Sequence, residues 1–313
     1  MRKQFTLNEW SAGFELEGTA TRGGVSFPVG GIIESCGDEG RLLGIEGEVG
    51  RDQFEVHTPV LRRLDDARGI EAVLDRWAEA VERFFQYRGV IPWFSPRSPF
   101  WRDGDSIAHM QGNPRHAAMR KGLTRLYGRG VAKKIFDQSA GHNALHVHLS
   151  HPNLEPDDFF GDVGLQLVNT FSPLARGFAD RAVRWADACG LPPNYDRRDF
   201  WGLVPGRGPT TGPYTLESLI ERWTSVPRLI VPDGVGGWRV DLGSPDVTEA
   251  LAHAYHGTLW ETVRPSPARP DKPFTIELRL WGAVRPENIA YIIAGHLVPH
   301  LAEIEKHGIQ VAA

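Results

Sequence analysis

The chain has 313 residues, 41% hydrophobic and 24% charged, with a formal net charge of -4 at pH 7, which is the profile of a soluble globular protein long enough to bury a substantial core. That small negative charge excludes the electrostatic footprint of a nucleic-acid or membrane-surface binder, and no apolar run reaches the ~18 residues of a membrane-spanning helix. Cys36 and Cys189 stand in no metal or redox spacing, and "MRKQFTLNEW" lacks the apolar stretch of a signal peptide, so the expected location is the cytoplasm.

Residues 10–19 read as a strand, followed by "GGVSFPVGGIIES" as a glycine-punctuated hairpin and by two extended segments, "LLGIEGEV" and "QFEVHTPVL". A helical period runs over 68–88, with Ile70, Val73, Leu74, Trp77, Val81, Phe84 and Phe85 on one stripe. "NPRHAAMRKGLTRLYGRGVAKKIFDQ" is basic and helical in pieces, and "ALHVHLSH" is a strand by alternation. Residues 156–188 form a long helical stretch that Pro173 kinks or breaks. "WGLVPGRGPTTGPY" is a loop without the Gly-Lys-Ser/Thr ending of a phosphate loop, and 215–224 is a short helix opened by Thr215. A hairpin in "LIVPDGVGGWRVDL", a helix near 246–263, the loop "PSPARPDKP", the strand "FTIELRLW" and a helix over 286–306 complete the chain. Strands outnumber a βαβ alternation and come partly as hairpins. The expected class is α+β, a mostly antiparallel sheet with helices on one face, in a single domain spanning 1–313.

Chemistry gathers on the strands. In "GFELE", Glu15 and Glu17 share one face and Phe14 and Leu16 the other. Glu48 and Glu55 flank a turn, so that a hairpin sets them opposite one another. His146 and His148 share a face, and so do Glu277 and Arg279, with Trp281 two residues further along. Each pair alone is compatible with a wet strand face. Turned inward together they make an acidic surface that needs a cation, and oxygen donors with one imidazole suit Mg²⁺ or Mn²⁺ better than zinc. An adjacent arginine suits a phosphate.

The order of these motifs, "GFELE", "FEVHTPVL", "ALHVHLS" and "FTIELRLWGAVRPENI", resembles the amidoligases, small carboxylate–amine ligases of the glutamine synthetase and glutamate–cysteine ligase superfamily. The resemblance spans residues 13–289. It implies a glutamine-synthetase-like catalytic domain, here without an N-terminal β-grasp domain, that uses ATP and two or more Mg²⁺ or Mn²⁺ ions to join a carboxylate to an amine through an acyl phosphate. By the match, Glu15, His146 and Glu277 hold the ion on the ATP phosphates, and Glu17, Glu48 and Glu55 hold the ion nearer the carboxylate. Arg279 stabilises the transferring phosphoryl group and is counted with Glu55 as catalytic. Arg264, and Arg129, Lys133 or Lys134 in "GRGVAKK", are candidate nucleotide or acid contacts. His57 and Val60 depart from the family pattern, as do Asn143 and Ala144 before the His-x-His. The acid, the amine, the role of His148 and the oligomeric state are left open.

Three other readings compete: a guanidino-type phosphotransferase of the same fold, a hydrolase or oxygenase with His146 and His148 on one metal, and a non-catalytic nucleotide or peptide binder.

Overall fold

In a computed structural model, residues 2–35, 37–100, 113–174, 212–225, 227–243, 261–266, 268 and 273–310 are described. In chain order the strands are β1 (Arg2–Lys3), β2 (Ser11–Arg22), β3 (Val25–Ser26), β4 (Glu46–Gly47), β5 (Gln53–His57), β6 (Leu61–Arg62), β7 (Ile91–Trp93), β8 (Ala144–Ser150), β9 (Ile230–Pro232), β10 (Trp238–Val240), β11 (Val263–Ser266), β12 (Thr275–Gly282) and β13 (Ile309–Gln310). Among the described residues nine strands form one sheet, ordered β11-β12-β8-β2-β5-β4, with β3, β6 and β7 also paired to β2. Every pairing in it is antiparallel. The fold is therefore α+β around an antiparallel sheet.

Period-2 alternation sorts the sheet into two faces. Ala12, Phe14 and Leu16 of β2, Leu145, Val147 and Leu149 of β8, and Ile276 and Leu278 of β12 are buried in one core. The helix Ala67–Gln86 lays Ile70, Leu74, Trp77, Val81 and Phe84 into that core, and Asp66 caps its start by accepting from the Gly69 amide. Residues 162–174, with Val163, Leu167 and Phe171, cover the same core. So does the C-terminal segment, through Ile289, Ile293, Leu297, Leu301 and Ile304. Each such fully buried side chain stabilises the fold by roughly 1.5–3 kcal/mol.

The helix Pro114–Gly141 is different. Leu123, Ile135 and Phe136 form a separate small cluster with Leu229 and Ile230 of the β9–β10 hairpin. Gly128, at φ 83 and ψ 161, breaks this helix into two pieces, a conformation that only glycine adopts without strain. Its far end reaches the polar side of the sheet, where the carbonyls of Ser139 and His142 accept from Gln53 Nε2.

Several expectations are corrected. The turn at Gly23–Gly24 does fold β3 back on β2, but the rest of the supposed hairpin is the helix Gly30–Glu34. "LLGIEGEV" is extended only at Glu46–Gly47, because the helix Gly37–Leu42 takes its start. Residues 156–160 are a 3₁₀ turn, and the following helix runs 162–174 through Pro173. The C-terminal helix is a composite, with a wide π turn at Ile293–Leu297 before Val298–His307. β7 received no reading from the sequence, and β11 read as helix and loop; both are short and carry a proline, which suits sheet margins, and β11 is the outermost strand of its sheet. The helix near 246–263 lies almost wholly outside the described residues, as does the loop 202–211. Among the described residues no helix is long and apolar enough to cross a membrane.

Candidate metal and phosphate site

Antiparallel partners direct their side chains to the same face, so register alone assembles the site. Glu15 of β2 is paired with His146 of β8 on one side and His57 of β5 on the other. Glu17 is opposite Glu55, Glu55 is also opposite Glu46 of β4, and Glu277 of β12 is opposite both His148 and Arg264. All of these lie on the face turned away from the apolar core.

The protein holds Glu15, Glu17 and Glu55 by at least one oxygen each, and Glu277 by both. Glu17 Oε2 accepts from the Ala144 amide at 2.7 Å and from Gln53 Nε2 at 3.4 Å. Glu55 Oε1 is 2.7 Å from His57 Nε2, and Glu15 Oε1 is 2.9 Å from His148 Nε2. Glu277 Oε2 takes Arg264 Nε and Nη2, each at 2.7 Å, and Oε1 takes Arg279 Nη1 at 3.1 Å. Glu15 Oε2, Glu17 Oε1 and Glu277 Oε1 lie around His146. Its Nδ1 is 3.5 Å from Glu15 Oε2 and 3.9 Å from Glu277 Oε1, and its Nε2 is 3.8 Å from Glu17 Oε1. The last two separations are too long for hydrogen bonds, and Nε2 is buried without a hydrogen-bond partner.

The electrostatics follow from crowding. Burial, then the charges of Glu55 and Glu17, push the Glu48 carboxyl well above its ordinary range, with Arg115 and Arg279 offsetting part of this. Burial would do the same to Glu277, but the Arg264 and Arg279 guanidiniums outweigh it and hold that carboxyl well below the usual range. Burial, then the Arg279 charge, lowers His146 to about 4. His146 is thus neutral at pH 7, the form that can ligate a metal. Burial alone would lower His57, yet the hydrogen bond and charge of Glu55, with Glu15 and Glu46, raise it to about 9.

The donor set fits a divalent cation. Ligand atoms lie within 4.8 Å of one another in three overlapping groups: Glu15, His146 and Glu277; Glu17, Glu55 and His146; and Glu15, Glu55 and His57. Carboxylate oxygens dominate, with an imidazole in each, and His146 Nε2 is a buried ligand atom that makes no hydrogen bond.

Most of the residues singled out from the sequence come together here: Glu15, Glu17, Glu55, His146, Glu277 and Arg279 share the face, and Arg264 is locked to Glu277. Glu48 feels the charges of Glu55 and Glu17, but the register partner of Glu55 is Glu46, and the Glu48 amide donates instead to the Gln53 carbonyl at 3.2 Å. Lys133 is ion-paired with Asp137 on a half-exposed helix face, and no contact described joins it to the cluster. Trp281 is turned away: a bulge between Leu278 and Trp281 switches the alternation, so Trp281 sits opposite Leu145 and is buried in the core. Sequence reasoning passed over Glu46, although "EGE" puts it in phase with Glu48, and over Gln53, and it marked Asn143 only as a departure from the family pattern. Gln53 Nε2 and Asn143 Oδ1 are 3.2 Å apart in the buried network behind Glu17. Nothing local marks those two amides.

No family model matches this chain, and no curated protein matches it. Among solved structures it is similar to a bifunctional glutathione synthetase from Pasteurella multocida, at 16% identity and a TM-score of 0.44 over 97% of this chain and 42% of that one. It is also similar to a structure described as a novel glutamine synthase homolog, at 13% identity and a TM-score of 0.42 over 97% of this chain and 58% of the other. The chain thus spans about half the length of the solved chains it matches.

Proposed function

We propose that this chain is an ATP-dependent carboxylate–amine ligase with a glutamine-synthetase-like catalytic domain, working with Mg²⁺ or Mn²⁺. The observation that carries this reading is the convergence of Glu15, His146 and Glu277 on one sheet face, with Arg279 3.1 Å from Glu277. Those are the residues that the motif resemblance assigns to the phosphate-side ion and to the phosphoryl contact. Glu17, Glu55 and the neighbouring Glu48 would hold the ion nearer the acid substrate. The cations, when bound, neutralise the phosphates and the crowded carboxylates.

The chain's own part is positioning and charge. In the proposed sequence a carboxylate oxygen attacks the γ-phosphorus of ATP and ADP departs. The amine nitrogen then attacks the acyl carbon, phosphate leaves, and the amine gives up a proton. Arg279 faces the developing phosphoryl charge, and Arg264 holds Glu277 in place rather than reaching for nucleotide. Lys133 keeps only a minor claim to nucleotide. The reading as a hydrolase or oxygenase with both histidines on one ion is weighed down by His148, whose Nε2 meets Glu15 and whose Nδ1 meets Thr275.

The test is ADP release with ATP and Mg²⁺ over pooled carboxylic acids and amines, with product masses read alongside. ADP formed only when acid and amine are both present, with a product lighter than their sum by one water, supports the ligase. Phosphorylated product without condensation would replace it with the phosphotransferase.

A further inference from the structure

The two histidines of the His-x-His strand are held in opposite ways. His146 leaves Nε2 without a hydrogen bond, whereas His148 uses both ring nitrogens: Nε2 is 2.9 Å from Glu15 Oε1, and Nδ1 is 2.9 Å from Thr275 Oγ1. An ionised carboxylate only accepts, so Nε2 of His148 carries the proton, and Nδ1 then accepts from the Thr275 hydroxyl. Thr275 begins β12, two residues before Glu277 and on the same face. His148 and Thr275 are only 5% and 4% exposed, so water does not compete for either bond.

We infer that His148 is a positioning residue and not a metal ligand: the chain Thr275–His148–Glu15 occupies one oxygen of Glu15 and presents the other, Oε2, toward His146 and Glu277. This inference rests on the metal reading above. Its physical content is twofold. A glutamate tethered at Oε1 has lost its rotamer freedom before the ion arrives, and it is offered through a single oxygen. The hydroxyl of Thr275 fixes the tautomer that makes the tether possible.

The test is Mn²⁺ titration of the full chain by electron paramagnetic resonance, with nitrogen couplings counted on the bound ion. Thr275→Val keeps the side-chain volume and removes the hydroxyl, and Thr275→Ser returns it. Outer partners of metal ligands are worth ~10–100-fold in affinity, so Thr275→Val and His148→Ala are expected to weaken Mn²⁺ by at least about tenfold. Thr275→Ser is expected to stay close to wild type. One coordinated imidazole per ion is expected, lost in His146→Ala and retained in His148→Ala. Unchanged affinity in Thr275→Val, or an imidazole coupling that disappears with His148, overturns the inference while leaving the metal reading in place. If the unaltered chain binds no Mn²⁺, the metal reading itself fails and takes the inference with it. Should His148→Ala not fold, the Thr275 pair still decides.

Discussion

Arg264 and Glu277 face each other across β11 and β12, with Nε and Nη2 of the guanidinium each 2.7 Å from the single oxygen Oε2. Both side chains are nearly shut off from water, 6% and 2% exposed, so the pair is a buried ion pair rather than a surface one. Breaking such a pair leaves an uncompensated charge and costs ~3–5 kcal/mol, whereas replacing both members is often neutral. Glu277→Gln should therefore lower the urea midpoint strongly as well as weaken cation binding. Adding Arg264→Met should recover much of the stability but none of the binding. Equal midpoints for wild type and Glu277→Gln would show that the pair does not hold the sheet edge.

Arg279 reaches the other oxygen of Glu277 at 3.1 Å and lies on the face where phosphate is expected. Arg279→Lys keeps a charge but loses the planar fork that meets two oxygens at once. Turnover should fall by about a hundredfold or more, as when one preorganised donor to a developing anion is removed. The effect should fall on kcat more than on KM for ATP in a steady-state ADP assay. A KM effect alone would move Arg279 from the transferring group to ground-state binding.

His57 owes its place to Gly44. At φ +60 a side chain on residue 44 is strained, and a Cβ there would come within 2.7 Å of the His57 Cβ and Cγ. The His57 carbonyl is held by Trp77 Nε1 at 2.8 Å, so the ring has little room to retreat. Gly44→Ala should cost ~1–2 kcal/mol from the backbone alone, with a further loss from the clash. His57→Gly in the same chain, which removes Cβ as well as the ring, should remove the clash part only. A double-mutant cycle by chemical denaturation reads the coupling, and zero coupling would mean that the ring moves freely.

His151 should make its own contribution to stability rise with pH through the ordinary histidine range. His146 acts in the same direction, and His57, whose raised pKa favours folding at lower pH, acts against it. The His151 ring is buried against Phe5 and Trp10, with centroids 4.9 and 5.1 Å away, and burial lowers its pKa despite the nearby Glu9. The unfolded chain takes up a proton near pH 6.5 that the folded ring resists, so folding is penalised as pH falls below that value and unpenalised above it. Relative to wild type, His151→Phe should gain more in urea midpoint at pH 5.5 than at pH 7.5. An equal change at both pH values would place the acid sensitivity elsewhere.

The fold and the cluster were legible to different depths. Alternation in "GFELE", "ALHVHLS" and "TIELR" marked the strands and their polar faces because side-chain direction in a strand has a strict period of two. The same rule failed at Trp281, where a bulge resets the phase, and a bulge leaves no mark in the local pattern. β11 was missed because Pro265 argues against a strand until the strand is known to be an edge.

What the sequence by itself determined is which residues carry charge and which face of each strand they occupy, since both are local properties. Only the tertiary structure decided the neighbours. It set Glu46 rather than Glu48 opposite Glu55, spent Arg264 on Glu277, gave His148 to Glu15 and left His146 Nε2 facing Glu17 without a hydrogen bond. The two histidine outcomes depend on register between strands more than a hundred residues apart in the chain, and that register is set by the core side of the sheet, where Phe14, Leu16, Val147 and Ile276 must all be buried at once.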